Sequence, residues 1–294
     1  MMESPGKLGV WTWVDGFSAP EAAGFAQQLE GWGYSALWIP EALGRDPFSM
    51  IGFLAAQTEK LIFSTGIANI YARDAVLAKA IRQTCAEILP GRFILGLGVS
   101  HPHLVDRIRG HEWQPPIGKM RQYLEAIDEA MYQGPKPEQE APTVIAALRP
   151  LMLKLAGEKA RGAHPYLVTP EHTRRAREIL GEGPWLCPEQ KFILETDADK
   201  ARGIARDNLK VYLRAPNYKN SLLELGFTEG DFAEGVASDR LVDALVAWGD
   251  EDALRARVQE HWDAGADHVC IQTFRGDGVP GPDLKALELL APNG

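Results

Sequence analysis

The feature that most constrains the fold is the alternation of short apolar segments with amphipathic ones along nearly the whole chain. Eight apolar segments have the length of strands buried on both faces, and apolar residues recur every three or four positions in the segments between them. We place the strands at Leu8–Val14, Ala36–Ile39, Leu61–Ile67, Phe93–Val99, Thr143–Leu148, Ala163–Val168, Lys191–Glu195 and His268–Phe274. Eight strand–helix units in 294 residues predict an α/β fold, a single (β/α)8 TIM barrel domain over residues 1–294.

Two regions depart from the alternation. The segment 134–142 is polar and proline-rich, but the pattern resumes after it, so no domain boundary is predicted there. The segment 212–236, after the seventh strand, is polar, aromatic and rich in glycine, and we interpret it as a mostly helical insertion. We expect helices on both sides of this insertion, at Ala198–Leu209 and at Arg240–Ala247.

Composition narrows the class of protein. Forty acidic and 31 basic residues give a net charge of -9, which argues against binding to nucleic acid or to an anionic membrane. No apolar run is long enough to span a bilayer, and the N-terminus has no signal-peptide pattern. The three cysteines are far apart and have no CxxC spacing, which is typical of reduced thiols. We therefore expect a cytoplasmic protein with a small-molecule substrate.

The fourth predicted strand ends in two glycines followed by polar residues. Gly96 and Gly98 lie in the apolar run, and Val99, Ser100 and His101 follow. A buried parallel strand that ends in this way allows a ligand to touch the backbone. In a barrel, the strand C-termini carry the active site. The predicted strands bring these candidates there: Trp13, Glu41, Asn69, Arg73, Ser100, His101, His103, Arg149, His164 and Tyr166.

Each candidate has an ordinary structural explanation as well. Trp13 either faces a ligand or fills the barrel. A carboxylate at the position of Glu41 is solvated, paired with an arginine, or functional. His164 is equally explained as a core histidine. Arg149, next to the start of a helix, is suited to a phosphate but also to a surface ion pair.

The histidines after the fourth strand suggest acid–base chemistry more than metal binding. His101 and His103 are separated by a proline, His111 follows, and no carboxylate spacing completes a ligand set, so we predict no metal. His101 is better placed as a general acid or as a substrate-binding group. No Rossmann, P-loop or nucleophile-elbow motif is present.

Longer segments carry a resemblance to a known family. They are SALWIPEALGRDPF, STGIANIYARDAVLAKA, GRFILGLGVSHPHLV, AALRPLMLKLA, GAHPYLVTPEHTRRARE, PEQKFILETD, RLVDALVAWGD and AGADHVCIQTF. In this order and spacing the chain resembles the bacterial luciferase-like superfamily and, within it, the coenzyme F420-dependent oxidoreductases. Each segment is weak evidence alone, but together they span almost the whole chain.

The resemblance implies a flavin or deazaflavin at the strand C-termini and a homodimer. The family's third strand commonly ends in a bulge with a non-prolyl cis peptide that supports the deazaflavin ring, which here corresponds to Gly66 and Ile67, with Asn69 close by. From the residues alone, Gly66 is also explained as an ordinary strand-to-loop glycine. The cofactor phosphate of the family lies near the loops after the fourth and fifth strands, which correspond to Val99, Ser100, Ala147, Leu148 and Arg149.

The chain departs from the family at one position of interest. Many deazaflavin enzymes have an acidic residue just after the glycines of the fourth strand, where this chain has His101. The proton donor is therefore His101, Glu41 or no residue of the protein. For the substrate side, the candidates are Trp13, His103, His164 and Tyr166.

The implied reaction is hydride transfer between the deazaflavin coenzyme F420 and a small organic substrate, in which the protein supplies orientation, exclusion of water and a proton. Two alternatives stay open. One is an FMN-dependent luciferase-like monooxygenase on the same fold, and the other is a non-catalytic flavin-binding barrel.

Overall fold

A computed structural model describes residues 2, 4–279 and 281–293. Its strands are β1 Leu8–Trp11, β2 Ala36–Ile39, β3 Ile62–Thr65, β4 Ala68–Asn69, β5 Phe93–Gly98, β6 Thr143–Ile145, β7 Gly162–Ala163, β8 Trp185–Leu186, β9 Glu189–Leu194, β10 Val246–Gly249 and β11 Val269–Phe274. Its α-helices are α1 Ala19–Gly31, α2 Pro47–Ala55, α3 Ala75–Ile88, α4 Pro116–Glu129, α5 Pro150–Lys159, α6 Pro170–Leu180, α7 Ala198–Leu213, α8 Pro216–Glu224, α9 Asp239–Leu245, α10 Glu251–Asp263 and α11 Leu284–Leu289.

The strands form a parallel sheet that closes on itself. Pairing runs β9-β11-β1-β2-β3-β5-β6-β7-β8, with β4 beside β5 and β10 beside β9. The two ends of this order, β8 and β9, are separated in the chain by Cys187 and Pro188 alone. The Cys187 N–H donates to Ala163 O and the Cys270 N–H donates to Pro188 O, both at 2.9 Å. Residues 185–194 thus occupy one strand position of the barrel, between β7 and β11, and the predicted (β/α)8 barrel is confirmed.

Local sequence explains where many helices start. Ser18 accepts from the Glu21 N–H while the Glu21 carboxylate accepts from the Ser18 N–H, which is the capping box expected from the sequence. Asp46 and Asp74 cap α2 and α3 by a single hydrogen bond each, in which the carboxylate accepts from the Ser49 N–H and the Leu77 N–H, respectively. No helix in the described part of the chain is both long and apolar enough to cross a membrane.

Several predicted boundaries were wrong. The fifth and sixth strands, expected over Thr143–Leu148 and Ala163–Val168, end at Ile145 and Ala163. The helix expected over Arg240–Ala247 ends at Leu245, because Val246–Gly249 instead pairs in register with Lys191–Leu194 and extends the sheet beside β9. The first strand ends at Trp11, three residues earlier than predicted, so Trp13 lies in the loop beyond it.

The insertion is mostly helical, as predicted. It consists of the end of α7, all of α8 and a 3-10 helix at Glu229–Gly235. Leu209, Tyr218 and Leu222 pack with α9 and β10 in an apolar cluster separate from the main core. Tyr212 and Tyr218 contact Tyr166, so the insertion covers one side of the barrel mouth.

Candidate active site

A bulge interrupts the third strand of the barrel and separates β3 from β4. The peptide bond between Gly66 and Ile67 is cis, which confirms the geometry that the family resemblance implies. Trp11 Nε1 donates to Gly66 O at 2.6 Å, and the Gly66 N–H donates to Ile39 O at 2.9 Å. Ile67 is partly exposed whereas residues 63–66 and 68–70 are buried, so Ile67 presents the bulge to the barrel mouth.

The bulge packs closely against the two glycines of β5, Gly96 and Gly98. A Cβ on Gly96 would lie 1.8 Å from Thr65 O, and one on Gly98 would lie 2.4 Å from Ile67 Cδ1. Thr65 Oγ1 also donates to Gly96 O at 2.7 Å and accepts from the Gly96 N–H at 3.0 Å. The expectation that these two glycines make room for a ligand is therefore corrected, because the space beside them holds the neighbouring strand.

Glu41 forms a buried ion pair. Its carboxylate binds the Arg73 guanidinium through contacts of 2.5 and 2.9 Å, with the two side chains 9% and 6% exposed. Oε2 of Glu41 also accepts from the Asn69 N–H at 2.6 Å, and Asn69 Oδ1 accepts from the Tyr71 N–H at 2.9 Å. Of the alternatives for Glu41, the structure shows pairing with an arginine. The pair and Asn69 hold the loop that follows the cis peptide.

His101 follows β5 in a loop of unusual backbone. Ser100 has φ of 58°, in the left-handed region that few residues other than glycine adopt. The His101 ring is partly buried 5.7 Å from the Tyr218 ring, and burial lowers the pKa of the imidazole. His101 is therefore neutral near pH 7. His103 begins a π-helical turn over His103–Ile108 and is exposed, so no contact supports its predicted role in substrate binding.

The ends of β5 and β6 form a cradle of backbone groups. Leu97 pairs with Ile145, which brings Val99 beside Ala147. Helix α5 begins next to them and its N-cap, Arg149, makes no capping hydrogen bond with its side chain. Within the part of the chain that the structure describes, the N–H groups of Ser100, Leu148 and Arg149 donate to no protein acceptor.

The side chain of Arg149 is occupied elsewhere. Its Nε lies 2.7 Å from Glu224 Oε1 in α8, and both side chains are about half exposed. Of the two alternatives for Arg149, the structure shows the surface ion pair. The phosphate site stays a prediction, for which the backbone N–H groups next to Arg149 are the available donors.

The opposite side of the mouth contains a polar network of which the sequence predicted only Tyr166, as a substrate-binding residue. Lys191 Nζ donates to Glu189 Oε1 at 2.9 Å and to Gln272 Oε1 at 3.2 Å, and neither Lys191 nor Glu189 is exposed at all. Tyr166 Oη lies 2.8 Å from Tyr212 Oη and 3.0 Å from Gln272 Oε1. Glu189 and Lys191 are two residues apart and share a strand face, a charge pattern that is unusual in a strand buried on both sides and that could have pointed to them.

Trp13 and two members of this network line a cavity of about 510 Å³. Tyr212 and Gln272 form part of its wall, together with Phe17 and Phe274. Trp13 contacts Trp11 edge to face at 5.6 Å and is 37% exposed. A second cavity of about 510 Å³ lies between the loops that carry Glu41, Tyr71 and Arg109.

His164 does not line the barrel mouth. It is 1% exposed, stacks on Trp38 at 4.5 Å and has Nδ1 2.7 Å from Cys187 O. Its Nε2 has no hydrogen-bond partner, and burial lowers its pKa to about 4. The prediction that His164 binds substrate is corrected, because the ring is enclosed in the barrel. Among the described residues, no group of three His, Cys, Asp or Glu side chains is arranged to hold a metal.

Several proteins of similar sequence or fold are named for coenzyme F420 or FMN. The chain is 27% identical over 348 residues to a putative coenzyme F420-dependent oxidoreductase of Mycobacterium tuberculosis, covering 97% of this chain and 100% of the relative. The chain is 26% identical over 315 residues to a 5,10-methylenetetrahydromethanopterin reductase of Methanolobus tindarius, covering 91% of this chain and 93% of the relative. It superimposes with a TM-score of 0.71 on the coenzyme F420-dependent tetrahydromethanopterin reductase of Methanopyrus kandleri, at 21% identity and 98% coverage of each chain. The TM-score is also 0.71 for the FMN-bound oxygenating component of 3,6-diketocamphane monooxygenase from Pseudomonas putida, at 15% identity and 98% coverage of each.

The family assignment rests on a model of the family itself. The model described as luciferase-like monooxygenase matches residues 2–268, which is most of the 294-residue chain. The match includes the cis-peptide bulge, the glycine strand and the helical insertion. This protein belongs to the luciferase-like monooxygenase family.

Proposed function

We propose that this protein is an oxidoreductase that transfers a hydride between the deazaflavin coenzyme F420 and a small organic substrate. The observation that carries the proposal is the bulge between β3 and β4 at the barrel mouth, where Trp11 Nε1 donates to Gly66 O and the Glu41–Arg73 pair holds the loop that follows. The similarity of almost the whole chain to a putative coenzyme F420-dependent oxidoreductase of Mycobacterium tuberculosis supports the choice of a deazaflavin. The two solved folds do not separate the cofactors, since their TM-scores are equal.

The residues present fit such a cofactor. Ile67 is the partly exposed residue of the bulge, and its side chain packs against Gly98, so a flat ring bound there would lie against Ile67 and the backbone of the bulge. The free N–H groups at Ser100, Leu148 and Arg149, next to the positive end of the α5 dipole, are suitable donors for a phosphate. Bound there, the deazaflavin would supply the hydride-carrying carbon.

The protein's own part in the chemistry is orientation, exclusion of water and control of one proton. His101 is the residue that we propose exchanges this proton with the substrate. Its neutral, partly buried imidazole accepts the proton when the substrate is oxidised, and the resulting imidazolium returns it when the substrate is reduced. Glu41 is proposed as a positioning residue, because its carboxylate is occupied by Arg73 and by the Asn69 N–H. The insertion covers His101 through Tyr218 and so excludes water from that side.

A side-by-side titration tests the cofactor. Purified protein is titrated with F420 and with FMN, and binding is followed by the fluorescence of each cofactor. We expect F420 to bind at least tenfold more tightly than FMN. Tight FMN binding without F420 binding would contradict the proposal and favour the monooxygenase.

Two variants test catalysis. We expect His101→Gln to lower the turnover of reduced F420 with a panel of ketones and imines by about 10²-fold, the usual contribution of a general acid, with F420 affinity unchanged. His111→Gln, an exposed imidazole of the same loop, serves as the control and should behave as wild type. If the wild type binds F420 but reduces none of these compounds or any other acceptor, a non-catalytic barrel is the better description. The homodimer stays a prediction, which light scattering of the purified protein would measure.

A further inference from the structure

We propose that the Tyr212 hydroxyl donates a hydrogen bond to a carbonyl or imine group of a substrate with an apolar body, bound in the cavity beside Trp13. This inference rests on the proposed function and deepens it, because it names a residue that contacts substrate and a chemical class. Tyr166 acts behind Tyr212 as a positioning residue.

The cavity selects an apolar body with few polar groups. Its wall contains the aromatic rings of Trp13, Phe17, Tyr212 and Phe274, together with the amide of Gln272. Apolar walls with a small number of placed polar groups are typical of sites for small organic ligands. The charged residues of the wall are engaged with neighbours: Arg275 pairs with Asp277, and Asp207 pairs with Lys210. The cavity therefore favours a neutral ligand.

The network behind the cavity orients the hydroxyl. Tyr166 has one proton and two acceptors within reach, Tyr212 Oη and Gln272 Oε1. Gln272 Oε1 already accepts from the Lys191 ammonium. When the Tyr166 proton goes to Tyr212, the proton of Tyr212 has no protein acceptor in the described part of the chain. Tyr212 lies in the wall of the cavity, so a ligand bound there can accept it. An acceptor placed there completes the chain Tyr166–Tyr212–ligand, and every donor in it is satisfied.

Both phenols stay protonated at physiological pH. Burial raises the pKa of Tyr166 and of Tyr212 above the usual value for tyrosine, and the Glu189 carboxylate acts in the same direction. Each is therefore a hydrogen-bond donor, and the partner that Tyr212 selects is an acceptor such as a carbonyl oxygen or an imine nitrogen.

The buried ion pair has no evident purpose in stability. Taking both Glu189 and Lys191 out of water costs about as much as their attraction returns, and apolar residues in such places are often as stable or more so. The pair does have an effect on the network. The Lys191 ammonium fixes Gln272 Oε1 towards Tyr166 and lies 3.8 Å from the centre of the Tyr166 ring, which holds that ring in place.

The experiment compares two probes that differ by one acceptor. Cyclohexanone has a carbonyl oxygen, and methylenecyclohexane has a CH₂ group in its place. Binding of each is measured by NMR titration of the protein, with and without saturating F420. Because only cyclohexanone can accept the hydrogen bond from Tyr212, we expect the wild type to bind it about fivefold more tightly than methylenecyclohexane. Tyr212→Phe should abolish that preference and leave the affinity for methylenecyclohexane unchanged.

Two further variants separate orientation from contact. Tyr166→Phe leaves the Tyr212 hydroxyl in place but removes the donor behind it, so the preference should fall without disappearing. Tyr34→Phe removes a hydroxyl that donates to Leu287 O, remote from the cavity, and should keep the full fivefold preference. Thermal unfolding of each variant checks that the fold is intact.

The outcomes are decisive in both directions. A Tyr212→Phe protein that folds and still prefers cyclohexanone would overturn the inference, as would equal binding of both probes by the wild type. Loss of the preference in Tyr212→Phe, with F420 affinity as in the wild type, would support it. Failure of F420 to bind, by contrast, contradicts the proposed function alone, because the probe titration without cofactor is read independently.

Discussion

Two buried ion pairs lie on opposite sides of the barrel mouth and serve different parts of the molecule. Glu41 and Arg73 come from the loops after β2 and β4, and their charges hold backbone, through the Asn69 N–H and the Asn69 carbonyl. Glu189 and Lys191 come from one strand, and their charges hold side chains, through Gln272 and the ring of Tyr166. One side of the mouth is therefore shaped by the chain itself and the other by oriented polar groups.

The difference suggests that the two sides of the mouth bind different molecules. A site for a large planar cofactor needs a fixed backbone surface, since backbone donors and close packing have no rotamer freedom to lose. A site for a small substrate needs a few hydroxyl or amide groups at defined positions. The side with Glu41 fits the first description and the side with Lys191 fits the second.

The largest predicted effect comes from breaking the second pair. In Lys191→Met the Glu189 carboxylate is left fully buried without its counter-charge, and we expect a loss of about 3–5 kcal/mol in the free energy of unfolding. The double variant Glu189→Gln/Lys191→Met removes both charges and should recover most of that loss. Urea denaturation of the three proteins measures both values.

The matching double variant on the other side sharpens the contrast. Glu41→Gln/Arg73→Met also removes both charges, but it disturbs the loop after the bulge, so F420 affinity should fall. In Glu189→Gln/Lys191→Met that affinity should stay as in the wild type. Equal losses of F420 affinity in the two double variants would show that the sides are not separate.

The two sides also differ in how far the sequence predicts them. The strand order and the bulge at Gly66 and Ile67 were predicted, because apolar periodicity and a contiguous family segment carry that information locally. The pairing of Glu41 with Arg73 was among the stated alternatives. Tyr166 was predicted as a substrate-binding residue, but its network with Tyr212 and Lys191 was not. The members are up to 106 residues apart, as Tyr166 and Gln272 are, and only the closed barrel and the insertion bring them together.

Errors in the prediction have local physical causes. His164 lies near the start of the predicted strand Ala163–Val168, but β7 ends at Ala163 and the ring of His164 turns inward to stack on Trp38. Gly96 and Gly98 were correctly placed at the end of a buried strand, yet a sequence cannot show that the neighbour filling their space is the bulge of β3. Strand existence was predictable, whereas side-chain direction at the strand ends was not.

Alanine substitutions of Gly96 and Gly98 in β5 test the side of the mouth that contains Glu41, and we expect a smaller loss of stability from them. Gly96→Ala places a Cβ 1.8 Å from the backbone oxygen of Thr65, which cannot rotate away, and we expect a loss of about 3 kcal/mol. Gly98→Ala meets only the tip of the Ile67 side chain at 2.4 Å and should cost about 1 kcal/mol. Because Ile67 must shift, F420 affinity should fall about tenfold in Gly98→Ala. An unchanged affinity would contradict the role of Ile67 in the cofactor surface.

We expect acid to destabilise the part of the barrel around β7 and β11 more than the part around β3 and β4. The pKa of His164 is about 4 in the folded protein and about 6.5 when unfolded. The stabilisation from the neutral ring is complete above pH 6.5 and is lost as pH falls from there towards 4, by about 2 kcal/mol between pH 7 and pH 5. His164→Phe keeps an aromatic ring against Trp38 and should lose about that much less over the same interval.

Hydrogen exchange places this loss in the structure. At pH 5 the amides of β7 and β11, next to His164, should lose protection before those of β3 and β4. The reverse order would contradict the assignment of the acid-sensitive contact to His164. Urea denaturation at both pH values, with wild type and His164→Phe in parallel, gives the difference in free energy.

The smallest effect concerns Arg149, where the two sides meet through its ion pair with Glu224 of the insertion. Both side chains are about half exposed, so Arg149→Met should change the free energy of unfolding by less than about 1 kcal/mol. If its guanidinium also contributes to a phosphate site with the free N–H groups nearby, F420 affinity should fall several-fold and depend less on salt. Glu224→Gln releases the guanidinium and is the matched control, for which F420 affinity should be equal to or higher than that of the wild type. A parallel fall in both variants would mean that the ion pair positions α8 over the mouth, and that the phosphate is held by backbone donors alone.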